Sequence, residues 1–171
     1  MFEFIKEILA GTAIAGFASV LLYAAYTDIR SLRISNQTCL AGLATFILYA
    51  LALSLAGRAD SIPGALGVAI IVFIITAGMN MVGAFGGGDV KLMTVLALWT
   101  GPQAILNVSF NIAVIGGAIA LVMLVRQTLQ RTAPMTAPGT SALDARPIPY
   151  GPAITLGGLY HLSELILNGF Y

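Results

Sequence analysis

Between residues 62 and 125 of this chain, only Asp89 and Lys91 carry a formal charge at neutral pH. A soluble fold needs charged positions at every turn of its surface, about a quarter of all residues. Here 9% of the 171 residues are charged and 58% are hydrophobic, so the chain cannot cover itself with polar groups. It reads as an integral membrane protein. The apolar runs are continuous rather than alternating, which favours helices over a barrel. The net charge of +1 comes without a basic run or aromatic-basic interleaving, so no nucleic-acid partner is expected. One cysteine, Cys39, excludes a disulfide framework and a Cys-rich zinc site. Glu3 and Glu7 flank Lys6, and the apolar run that follows is longer than the core of a signal peptide.

A membrane crossing needs about 20 apolar residues. Six spans are expected, over residues 8–27, 38–56, 62–82, 89–100, 104–125 and 151–167, in one domain covering 1–171. The fold class is an all-α bundle of six transmembrane helices. Gly101-Pro102-Gln103 reads as the turn between the fourth and fifth spans. Residues 92–100 are too short to cross alone, so the fourth helix must begin inside the glycine-rich stretch before Lys91. Residues 126–148, rich in Thr, Ala and Pro, read as a mobile linker. With six spans, Arg30, Arg33, Lys91, Arg126, Arg131 and Arg146 fall on one side, and Lys6 and Arg58 on the other. The more basic side is the cytoplasmic one.

That topology brings two carboxylates to one membrane edge. Asp28 ends the first span, and Asp89 opens the fourth after Gly83-Ala84-Phe85-Gly86-Gly87-Gly88. Asp60 falls on the opposite side and Asp144 in the linker. Two close carboxylates share a proton, because both cannot ionise together. The ionised one can activate water and the protonated one can polarise a carbonyl, which is the chemistry of peptide hydrolysis without metal or cofactor. The bland alternative is two helix-terminal charges that never meet.

Gly86-x-Gly88-Asp89-x-Lys91 resembles the GxGD signature of membrane aspartic proteases, and more closely the GxGDxK of type IV prepilin peptidases. Asp28, the basic Arg30 and Arg33, and Ile34-Ser35-Asn36 resemble that family's first motif, with Ser35 where proline is usual. Pro149-Tyr150-Gly151-Pro152-Ala153 resembles the segment that opens its last span. The small size resembles the single-function peptidases of tight-adherence pilus systems. The resemblance implies Asp28 and Asp89 as the catalytic pair, with Gly86, Gly88 and Lys91 in the active-site loop. It implies Arg30, Arg33 and Asn36 as substrate or lipid contacts. It further implies a prepilin-like substrate cut at the cytoplasmic face of a bacterial inner membrane, with no cofactor and no metal. Larger relatives add a domain with paired Cys-x-x-Cys motifs and methylate the product. With one cysteine, this chain is expected to have peptidase activity alone.

Other polar residues draw structural readings. Lys91 is expected to snorkel to lipid phosphate. His161 and Glu164 share a helix face as a structural pair, and Asn80, Asn107 and Asn111 read as interhelical hydrogen-bonding residues. Three alternatives remain open: a presenilin-like or signal-peptide-peptidase-like protease, a small transporter using its carboxylates as a proton relay, and a non-enzymatic assembly subunit. The sequence does not specify the oligomeric state.

Overall fold

The computed structural model describes residues 2–130 and 149–168. The described residues are helical, with no strand. The helices are α1 (Phe2–Ser31), α2 (Asn36–Leu55), α3 (Ser61–Met81), α4 (Gly87–Gln130) and α5 (Gly151–Leu167). Four stretches are long and apolar enough to cross a membrane: Glu3–Ser31, Asn36–Leu55, Ser61–Met81 and Gly87–Arg126. α5 has 17 residues.

The expected count of six helices is corrected to five. The fourth and fifth expected spans form one element, α4, in which helical residues abut Gly101 on both sides. That residue has φ 58° and ψ −172°, and Pro102 follows it. A left-handed φ costs glycine little, and proline supplies no N–H to continue the helix. Contacts with α5 show that α4 doubles back at this point. Before Gly101, Leu96 lies against Gly158 and the Trp99 carbonyl against His161, so α4 and α5 run in the same sense. Beyond it, Ile112 meets Gly157 and Gly116 meets Tyr150 and Ala153, the opposite sense. α4 also begins at Gly87, inside the glycine-rich stretch, as the short run 92–100 required. The expected linker loses its first residues to α4, which continues through Gln130; the rest of it, 131–148, lies outside the described residues.

The helix ends are set by local chemistry. Ser35 caps α2 by accepting the Thr38 N–H at 3.1 Å. α2 and α3 both end on a left-handed glycine, Gly57 (φ 73°) and Gly83 (φ 77°). In each case the next residue's N–H reaches back around the end of the helix, Arg58 to the Leu53 carbonyl at 2.9 Å and Ala84 to Met79 at 2.9 Å. This satisfies carbonyls at the helix ends that lack intrahelical partners. α5 opens with Pro152 in its first turn, where a missing N–H does no harm.

The core lies between α1, α2, α4 and α5. Trp99 stacks on Phe17 at 4.5 Å and on Tyr49 at 4.9 Å, with Phe46 edge-on at 6.2 Å. α3 buries only Ala65, Ala69 and Thr76. It leaves Ile70, Ile71, Phe73, Ile74 and Ile75 exposed, as a helix facing lipid would. Asn107 is exposed and makes no side-chain hydrogen bond to another helix among the described residues, so the interhelical link expected of it is not formed.

Candidate active site

Asp28 sits in the last turn of α1, which continues past the expected span end to Ser31. It is 5% exposed. Its Oδ2 accepts the Gly151 N–H at 2.8 Å, so the first residue of α5 holds a carboxylate from α1. Position 151 admits no side chain: a Cβ there would lie 2.7 Å from the Asp28 Cβ and 2.8 Å from Oδ2. The start of a helix suits a carboxylate, since its N–H groups lack intrahelical partners and its dipole is positive at that end.

Asp89 lies in the first turn of α4 and is 8% exposed. Its Oδ2 lies against Gly86, where a Cβ would stand 2.8 Å away. Its Oδ1 is buried without a hydrogen-bond partner. An unpaired buried carboxylate oxygen is costly, and such oxygens recur where a substrate or water is to be bound. Gly88 serves a different purpose. A Cβ there would come within 2.9 Å of the Ile34 Cβ and 3.1 Å of its carbonyl. The α1–α2 connection therefore packs directly on the turn that carries Asp89.

Both aspartates line one cleft of about 520 Å³, together with Tyr23, Thr27, Arg33 and the backbone of residues 86–88. The two loops that hold them are tied to each other. Phe85 precedes Gly86, Tyr150 precedes Gly151, and the two rings stack at 5.2 Å. Asn80 fixes one of them, donating from Nδ2 to the Phe85 carbonyl at 2.6 Å. The expected interhelical role of Asn80 is thus a loop-holding one.

The remaining expected site residues divide. Arg33 lines the cleft. Arg30 does not; its guanidinium lies over the Tyr26 ring at 5.0 Å. Lys91 donates to Asn36 Oδ1 at 2.6 Å, so these two join α4 to the start of α2, and neither lines the cleft. Gly151, Tyr150 and Phe85 carry no role in the sequence reading. The signal available was the repetition of an aromatic residue followed by glycine in the two loops. Among the described residues no group of three His, Cys, Asp or Glu side chains is placed to hold a metal ion.

The fold and site together define a helical membrane protein with two buried carboxylates from distant helices facing one cleft. Residues 15–121 match the family model of the type IV leader peptidase family, and the chain belongs to that family. The matched stretch contains both Asp28 and Asp89 and stops before α5. No match was found among curated proteins or among solved structures.

Proposed function

We propose that this protein is an aspartic endopeptidase that removes the leader peptide of prepilin-like substrates at the cytoplasmic face of a bacterial inner membrane, for pilus or secretion assembly. The observation that carries the reading is the convergence of Asp28 and Asp89 on one cleft. The two carboxylates hold one proton between them. The ionised carboxylate takes a proton from water, which attacks the scissile carbonyl. The protonated one donates to that carbonyl oxygen and stabilises the developing charge. Gly151 N–H orients Asp28 through Oδ2, and the unpaired Oδ1 of Asp89 is the oxygen with capacity left for water.

The sidedness follows from charge. Arg33 lines the aspartate cleft and Arg30 shares its helix end, whereas Arg58 lies in the connection at the opposite ends of α2 and α3. An excess of basic residues marks the cytoplasmic side. In this reading the two arms of α4 cross separately, giving six crossings with α5. A reporter fused after Gly57 then reads as external, and an external cleft would require the same reporter to read as cytoplasmic.

The activity test uses purified protein in detergent with a prepilin-type peptide, a short basic leader ending in glycine before an apolar segment. Mass spectrometry of the products is expected to find one cut after that glycine. An uncut peptide, or cuts scattered through the apolar segment, would remove the leader-peptidase assignment.

A further inference from the structure

We infer that the end of the bundle opposite the aspartates holds a binding site for the headgroup of an amine-bearing phospholipid, phosphatidylethanolamine in its commonest form. A cavity of about 280 Å³ opens there between the α2–α3 connection, the Gly101 turn and the last turns of α5. It is far larger than the roughly 30 Å³ share of one water.

Two buried side chains in its wall each leave a polar atom unsatisfied. His161 is 5% exposed and Trp99 4% exposed. His161 Nε2 bonds the Trp99 carbonyl at 3.1 Å. A carbonyl only accepts, so Nε2 carries the proton and Nδ1 is left as an acceptor. Nδ1 has no partner, and neither does Trp99 Nε1, which can only donate. The Trp99 ring is stacked on Phe17 and Tyr49, so it cannot turn to find a partner elsewhere. His161, expected to pair with Glu164 on one helix face, makes its hydrogen bond to Trp99, and Glu164 lines the same cavity.

Arg58 and Glu164 line the same cavity. No ion pair joins them among the described residues. The wall thus offers a donor, the Arg58 guanidinium, and an acceptor, the Glu164 carboxylate, while the unpartnered indole N–H and His161 Nδ1 lie buried behind it. That set complements one anion and one N–H-bearing cation on the same molecule. A phosphate takes the guanidinium, and an ammonium gives its protons to the carboxylate. A choline head has no N–H to give, and a glycerol head has no cation. The lipid source, rather than a soluble phosphoamine, follows from the apolar walls Leu53, Ile62 and Leu165. It follows also from exposed Leu55, Leu106 and Leu167 on the neighbouring helix ends, against which acyl chains can lie.

Trp99 is the single tryptophan, so its emission reads the site. The full chain in detergent micelles is titrated with dioleoyl phosphatidylethanolamine, phosphatidylcholine, phosphatidylglycerol or soluble glycerophosphoethanolamine, and native mass spectrometry counts bound lipid in the same samples. Saturable binding of one phosphatidylethanolamine is expected, with the other three weaker by about tenfold, the scale of one lost charge-assisted hydrogen bond. Glu164→Gln should abolish the preference over phosphatidylcholine, and Arg58→Gln should weaken all three lipids. Both side chains are at least partly exposed, so both variants are expected to fold. Equal binding of all lipids, no bound lipid by either method, or unchanged preference in both variants would overturn the site. Soluble glycerophosphoethanolamine binding as tightly as the lipid would overturn the lipid assignment.

Discussion

The two ends of this bundle treat buried polar groups in opposite ways. At one end, Asp28 is met by a backbone N–H at 2.8 Å, and the contacts that hold both aspartates fall on glycines. At the other, His161 and Trp99 lie just as deep but leave Nδ1 and Nε1 without partners. Glycine lets the main chain itself approach a carboxylate, so the first end holds two carboxyl groups in place. The second end is made of large side chains stacked beside a cavity. At the first end Asp89 Oδ1 is the one buried side-chain oxygen without a partner among the described residues.

The contrast breaks first if the aspartates are dispensable. Asp28→Asn and Asp89→Asn are each expected to lower cleavage by about 10²–10⁴-fold, the usual contribution of a general acid or base, while folded protein is retained. Asp60→Asn, in the α2–α3 connection, should leave the rate within about twofold. Initial rates on the prepilin-type peptide check this.

A smaller effect is expected from the backbone cradle. Gly151→Ala places a Cβ where the Asp28 side chain now lies, and should cost about tenfold to a hundredfold in kcat, as misplacement of a reacting group does. Gly57→Ala, which meets no neighbour but is strained by its left-handed φ, should lower stability and leave kcat unchanged. A thermal melt alongside the rate separates the two outcomes.

The aromatic tie between the loops comes next. Phe85→Leu or Tyr150→Leu removes the stack, worth about 0.5–1.5 kcal/mol, and should reduce activity by up to about tenfold. The double variant should be no slower than the slower single variant, because both substitutions break one contact. The smallest effect belongs to Lys91→Met. It removes an exposed hydrogen bond to Asn36, and should lower stability by about 1 kcal/mol or less, with cleavage within about twofold.

How much of this was legible in the sequence depends on the reach of each interaction. Asp28 and Asp89 could be named because each stands beside a local pattern at the end of an apolar run. The break at Gly101-Pro102 was legible for the same reason: a left-handed turn and a missing N–H are properties of those two residues. Its consequence for the helix count was not, since a single residue, Gly101, has non-helical backbone angles between the two helical arms. Hydropathy also places the end of α1 too early, because a helix can continue past the apolar run through Asp28, Ile29, Arg30 and Ser31. The Gly151 bond to Asp28 spans 123 positions, and nothing near either residue announces it. Lys91 reads as a lipid-facing charge because its partner Asn36 is 55 positions away. The Trp99–His161 contact, 62 positions apart, likewise exists only once α4 and α5 pack.

In the proposed mechanism Asp28 and Asp89 act as one unit on one bond. The most direct measurement is single-turnover cleavage, with enzyme in excess over the prepilin-type peptide, by Asp28→Asn, Asp89→Asn and the variant carrying both. Residues that act as a unit lose nearly everything with the first substitution. The rate of the double variant is therefore expected to lie within about threefold of the slower single variant. A double variant slower by the product of the two single losses would mean that the carboxylates contribute independently, and full activity in either single variant would remove that aspartate from the site.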